Sequence, residues 1–347
     1  MDIKTKSCIF GIICCVAVLP ACTETGETEN LTDDSIISLS ATVPHNVSRG
    51  ASTTTATIKD FIVYAFTDGA VLINGAKVTR DGGMWTYSPE AYWPVNPVNF
   101  YAYSPEINVN TDISNDDGSS IPGYLNDGST DLLYSVLKNV SQQAAPVLLN
   151  FRHALSKVNI LLSSTNSRIR VSVSYVSITN IYRQGSFYFP QTSTLASTPD
   201  VVGSWSNLKL PSNYISFAII SESDQVDLNP QPTDLTINNL DCNYIIPQPL
   251  IDVQLSDSGY SGNYIEIDCI IYDSASGAVL WPNSNTPDYM LVPHTNTGRI
   301  VFPATSDKVK EYKPGHAYIY NIQINNPDVL DKIEFGVTVD EYSIDEM

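Results

Sequence analysis

Four histidines, six cysteines and 37 aspartates and glutamates carry the chemistry available to this 347-residue chain for metal binding, nucleophilic attack and proton transfer. Their spacing does not assemble them. His45, His153, His294 and His316 are scattered, and none shows the interval with which a helix or hairpin presents two imidazoles to zinc. Asn115, Asp116 and Asp117 offer oxygen ligands, but without the alternate-residue spacing and terminal Glu of a calcium loop they read as a solvated loop. Gly-x-Ser-x-Gly, Gly-x-x-x-x-Gly-Lys and Gly-x-Gly-x-x-Gly do not occur, which removes the common signatures of hydrolases, nucleotide binders and dinucleotide enzymes. The expectation is therefore no catalytic, cofactor or metal residue. A glycosidase stays open as a class, because its two carboxylates need only meet in space.

One cysteine stands in a different setting. Lys4 and Lys6 precede an apolar run from Ile9 to Leu19, the length of a signal-peptide core and short of the roughly 20 residues that span a bilayer. It ends in Leu19-Pro20-Ala21-Cys22, which resembles the bacterial lipoprotein cleavage box. Residues 1–21 are then a lipoprotein signal, and Cys22 becomes the lipidated (palmitate-bearing) first residue, held at the outer membrane by its acyl chains. Cys8, Cys14 and Cys15 leave with the signal. Cys242 and Cys269 remain, as one disulfide or as two buried thiols.

The elements that position these residues read as β-structure. Tyr and Pro number 20 and 21, and charged residues are only 16% of a chain that is 43% hydrophobic. The net charge of −19 repels phosphates, so nucleic acid is not an expected partner. At roughly 100 to 200 residues per domain the length predicts two domains, here at 36–165 and 166–347 behind a polar, acidic tether at 22–35. Ile37, Leu39, Ala41 and Val43 alternate with polar residues, the period of a strand with one buried face. Arg49-Gly50 follows in a Ser- and Thr-rich stretch, an exposed site for a trypsin-like protease. Strands are predicted at Phe61–Phe66, Val98–Tyr103, Lys157–Leu162, Val171–Ile178, Tyr264–Tyr272 and Ala317–Ile324, among others. The segment from Ile107 to Asp127 reads as a long projecting loop, and Asp131–Val140 as the one helix-compatible stretch. At the end, Ile333, Phe335, Val337 and Val339 again alternate with polar residues: an edge strand of its own domain, or a strand donated to another subunit.

Several stretches together resemble the fimbrillin family, the pilin and pilus-associated lipoproteins of Bacteroides and related bacteria. They are Tyr92-Trp93-Pro94, Phe100-Tyr101-Ala102-Tyr103-Ser104-Pro105, Asp131-Leu132-Leu133-Tyr134, Phe151-Arg152-His153-Ala154-Leu155-Ser156-Lys157-Val158, Ile246-Pro247-Gln248 and Lys313-Pro314-Gly315-His316-Ala317-Tyr318. The resemblance implies an all-β fold of two tandem transthyretin-like β-sandwich domains, mostly antiparallel with Greek-key connections. It further implies a non-enzymatic pilus subunit that assembles by strand exchange. A protease cuts after Arg49, before Gly50; the strand carrying Ile37, Leu39, Ala41 and Val43 is removed; and Ile333, Phe335, Val337 and Val339 of a neighbour fill the groove. The implied partners are other pilus subunits, the outer membrane through Cys22, and a surface glycan or protein in adhesion. Two other readings remain: an anchor or tip component that does not polymerise, and a glycan-binding surface lipoprotein that uses the tyrosines and four tryptophans. His153 is expected to serve the scaffold.

Overall fold

A computed structural model describes residues 35–43, 53–115, 118–210, 215–219, 225–235, 244–256, 259–326 and 334–341. Apart from a short 3-10 turn at Asp288–Met290, its regular elements are strands. The N-terminal half is organised by one six-stranded sheet, in the order Met84–Thr86, Ala70–Asp81, Asp60–Thr67, Val98–Ser104, Leu133–Val140, Arg152–His153. Its central strands are apolar on both faces. Phe61, Val63, Ala65, Phe100 and Ala102 point into one core, while Ile62, Phe66, Tyr101, Tyr103, Tyr134 and Val136 point into another. Because successive side chains alternate faces, such a sheet needs a cover on each side. The first cover is a parallel pair of short strands, Leu39–Thr42 and Val147–Asn150. The second is a three-stranded sheet of Ser120–Leu125, Gln184–Tyr188 and Ser204–Lys209, which brings Ile121, Tyr124, Phe187 and Trp205 against the tyrosines.

The C-terminal half is a two-sheet sandwich. Ser156–Ser163 pairs with His316–Gln323, which pairs with Glu334–Glu341. Facing it, Tyr264–Asp273 lies between Ile169–Thr179 and Gly298–Pro303. Val158, Ile160 and Leu162 from one sheet meet Ile265, Ile267, Cys269 and Ile271 from the other. A register shift between Val173 and Tyr175 keeps Val171 and Val173, then Val176 and Ile178, in the same core despite their opposite parity. The sheets do not divide at one point in the chain. Ser156–Ser163 belongs with the late strands, whereas Gln184–Tyr188 and Ser204–Lys209 cover the early sheet.

Two sequence expectations give way here. Asp131–Val140 is not helical: Leu133–Val140 is a strand whose first four residues are all buried, so two-sided burial erased the period-two pattern. The segment from Ile107 to Asp127 is not a projecting loop throughout. Ser120–Leu125 is a strand, with Ile121 and Tyr124 buried on either side of Gly123, whose φ of +66° breaks the alternation. Ile107, Val109 and Ile113 pack against the same core. The strands Ala70–Asp81 and Ser204–Lys209 were also outside the expected set; both are largely exposed and so carry little apolar signal.

Phe100 is fully buried, with the Trp93 ring edge-on at 6.2 Å. Phe100→Ala is expected to cost about 3–5 kcal/mol through lost burial and the cavity it leaves, read as a lower denaturant midpoint with an unchanged slope.

Candidate functional site

The alternation in the opening strand is realised as burial. Ile37, Leu39, Ala41 and Val43 are 0, 4, 5 and 3% exposed, and all four join the core under the six-stranded sheet. Ser38 is exposed, with Ser40 and Thr42 half-buried. Each Ile, Leu or Val so buried contributes about 1.5–3 kcal/mol. Leu39 to Thr42 stand in register with Val147 to Asn150, and Val147 and Phe151 donate their amides to Ser38 and Thr42 carbonyls at 2.8 Å. Among the described residues this is the only strand it pairs with as a ladder. At its start the Ile37 amide donates to Ala91, the Trp93 amide to Ser35, and the Tyr87 hydroxyl to the Ile37 carbonyl at 2.7 Å.

The other end is closed by a side chain. Thr55 Oγ1 accepts from the Val43 amide at 2.8 Å and donates to the Val43 carbonyl at 2.9 Å, joining the two sides of the segment that contains Arg49. Two residues earlier the Thr53 amide donates to Asp131 Oδ2 at 2.9 Å, and the other oxygen of Asp131 meets His153 Nδ1 at 2.9 Å. Burial pushes the Asp131 carboxyl up, but the His153 imidazole and the Thr53 amide outweigh it and hold the group below the usual carboxylate range. His153 thus has its scaffold role. Neither Thr55 nor the Asp131–His153 pair was singled out for this role by sequence reasoning, because each contact joins residues 12 or more apart and has no periodicity to announce it.

The closing strand, Glu334–Glu341, runs antiparallel to His316–Gln323 and forms the edge of its own domain's sheet. Phe335, Val337 and Val339 stand opposite Ile322, Tyr320 and Tyr318. Cys22, Arg49, Gly50, Ile333 and Cys242 lie outside the described residues. Cys269 is a free thiol sealed in the C-terminal core, where burial pushes its ionisation up.

On the C-terminal sheet Glu266 and Asp268 are drawn together, both held by Arg299 at 2.9 and 3.0 Å. Burial pushes Glu266 up to about 7, against the pull of Arg299 and with a further push from Asp268. With each carboxylate committed to a shared guanidinium, the pair reads as a cross-strand tie. Among the described residues no group of three or more His, Cys, Asp or Glu is placed to hold a metal.

A short strand that completes an apolar core, a six-stranded sheet covered on both faces and a two-sheet sandwich define an all-β scaffold. The chain belongs to the fimbrillin-like family, whose model matches residues 46–341. Among solved structures it is similar to a fimbrial protein from Bacteroides vulgatus, at 13% identity over 89% of this chain and 100% of that one, with a TM-score of 0.48. It is also similar to a fimbrilin from Porphyromonas gingivalis, at 8% identity over 88% and 96%, with a TM-score of 0.44. No curated protein matches the chain.

Three outcomes follow from this geometry. Thr55→Val removes both bonds to Val43, is expected to cost about 1 kcal/mol, and should speed hydrogen exchange at the Val43 amide. Asp131, with its folded ionisation depressed, adds stability that is complete above the unfolded value of about 3.9 and is lost as pH falls through the folded value; Asp131→Asn should flatten this acid limb of the stability profile. Glu266 is shifted the other way, so its contribution is complete below about 4.3 and lost as pH rises through the folded value. Glu266→Gln should remove that decline in thermal scans across this range.

Proposed function

We propose that this protein is a structural pilus subunit of the cell surface that assembles by protease-triggered strand exchange. The observation that supports this best is the opening strand: its apolar side chains fill the core, yet among the described residues it is joined as a ladder to one strand alone, and in sequence it leads into the segment with Arg49 and Gly50. In this reading a trypsin-like protease cuts between those two residues. The strand of Ile37, Leu39, Ala41 and Val43 then leaves, and the groove beside Val147–Asn150 opens. Such a groove exposes apolar surface together with unpaired backbone groups, and a strand of matching parity from a second copy satisfies both at once. The closing strand, with Ile333, Phe335, Val337 and Val339, has that parity.

Membership of the fimbrillin-like family accords with a pilus role. Acyl chains on Cys22 would hold the chain at the outer membrane before assembly. The chain carries no catalytic step or cofactor in this reading. A tip or anchor subunit would keep the same fold and omit either the cut or the free donor strand.

The test is limited digestion of the purified protein with a trypsin-like protease, followed by sequencing of the new N-terminus and denaturing gels run without boiling. A new terminus at Gly50 and a ladder of detergent-resistant oligomers are expected, with Arg49→Gln remaining uncut and monomeric. A protein cut after Arg49 that stays monomeric would overturn assembly by strand exchange.

A further inference from the structure

The outer side of the C-terminal sandwich carries a cleft of about 460 Å³, within the roughly 300–1,000 Å³ of small-molecule sites. The strand Tyr264–Asp273 forms its floor with Ile270 and Tyr272, side chains of opposite parity to the core residues Cys269 and Ile271. Val279 and Leu291 add apolar wall and are 51 and 39% exposed. Asn283, Thr295, Asn296 and Thr297 supply amides and hydroxyls around it.

Two properties of this lining select a ligand. In a chain with a net charge of −19, no Asp, Glu, Lys, Arg or His side chain lines the cleft. The charges beside Tyr272, Arg170 and Asp227, are paired with each other, so a charged ligand would lose hydration without gaining an unpaired counter-charge. A wholly apolar one would desolvate the rim amides and hydroxyls without replacing their bonds. A sugar ring has both required surfaces: C–H faces that lie on aromatic and aliphatic side chains, and hydroxyls that exchange bonds with amides and hydroxyls.

The site is also held in shape. Asn283 Nδ2 donates to the Leu280 carbonyl at 2.8 Å, and Thr295 Oγ1 meets Thr297 Oγ1 at 2.7 Å. The Arg170 guanidinium lies 4.0 Å over the Tyr272 ring and is tied to Asp227. Gly298 leaves room for the Trp281 ring, which a Cβ there would meet at 2.2 Å. Against this fixed frame, the Asn296 amide has no partner among the described residues.

We propose that this cleft binds a neutral carbohydrate, with a sugar ring against Ile270, Tyr272 and Leu291, and hydroxyls on Asn296 and its neighbours. This site does not rest on strand exchange, and the uncleaved monomer suffices to test it. Saturation-transfer NMR would use lactose, cellobiose and N,N′-diacetylchitobiose, each at millimolar concentration. Transfer to at least one is expected, with affinity about tenfold weaker in Asn296→Ala and in Leu291→Ala. Both positions are exposed, so the fold should survive, as checked by near-UV circular dichroism. Tyr92→Ala, at an exposed tyrosine of the N-terminal half, should bind as the parent does. No transfer from any of the three sugars, or transfer that neither cleft variant weakens, would overturn the site.

Discussion

A sheet with apolar side chains on both faces cannot stand against water on either, and the six-stranded N-terminal sheet imposes that demand on everything around it. One face is covered by three strands and a cluster of rings, with Phe187 against both Tyr134 and Trp205. The other is covered by two strands of four residues each. This asymmetry matters because the lighter cover includes the part of the described chain that comes first. Its removal would uncover Phe61, Val63, Phe100 and Phe151 together, in place of a single side chain.

The same demand explains why the chain doubles back between its two halves. Ser156–Ser163 leaves the early sheet to found the second sandwich, yet Gln184–Tyr188 and Ser204–Lys209 return to cover the early tyrosines. Leu195 and Thr198, in the connection between those two strands, give their carbonyls to the Arg152 guanidinium, as does Pro199. The return is thereby fixed to the strand next to His153. Three backbone acceptors on one planar cation supply what a carboxylate would otherwise supply, so Arg152 is buried without an ion pair at its head group among the described residues.

How much of this was legible depends on how many faces a strand buries. The opening strand buries one, so Ile37 to Val43 displayed period two and was read directly. Leu133–Val136 buries both, and its unbroken run suggested a helix. Ser120–Leu125 buries Ile121 and Tyr124 on either side of Gly123, whose positive φ breaks the alternation and hid the strand inside an expected loop. The motif around Phe151 to Val158 was visible as a string of residue types, whereas the contacts that give it meaning were not. His153 finds Asp131 across 22 residues, and Lys157 is buried with its ammonium 5.9 Å from the Tyr244 ring. Such partners are set by topology, and periodicity carries no record of them.

The two alternating strands at either end of the described chain differ in what it takes to release them. The opening strand has four ladder pairs and a parallel partner; the closing strand has eight pairs and an antiparallel one. Parallel pairing is slightly weaker per residue, so backbone terms make the opening strand the easier to detach. Its side chains act in the opposite direction, because all four apolar residues are sealed in the core. Detachment therefore exposes mainly apolar surface, and water does not compensate that loss as it compensates a freed N–H or C=O. A freed closing strand leaves an edge whose backbone water can solvate. In the proposed exchange of one for the other, apolar burial would supply the drive and hydrogen bonds would set register. Any competent replacement must reproduce the spacing of Ile37, Leu39, Ala41 and Val43 before it reproduces their identity.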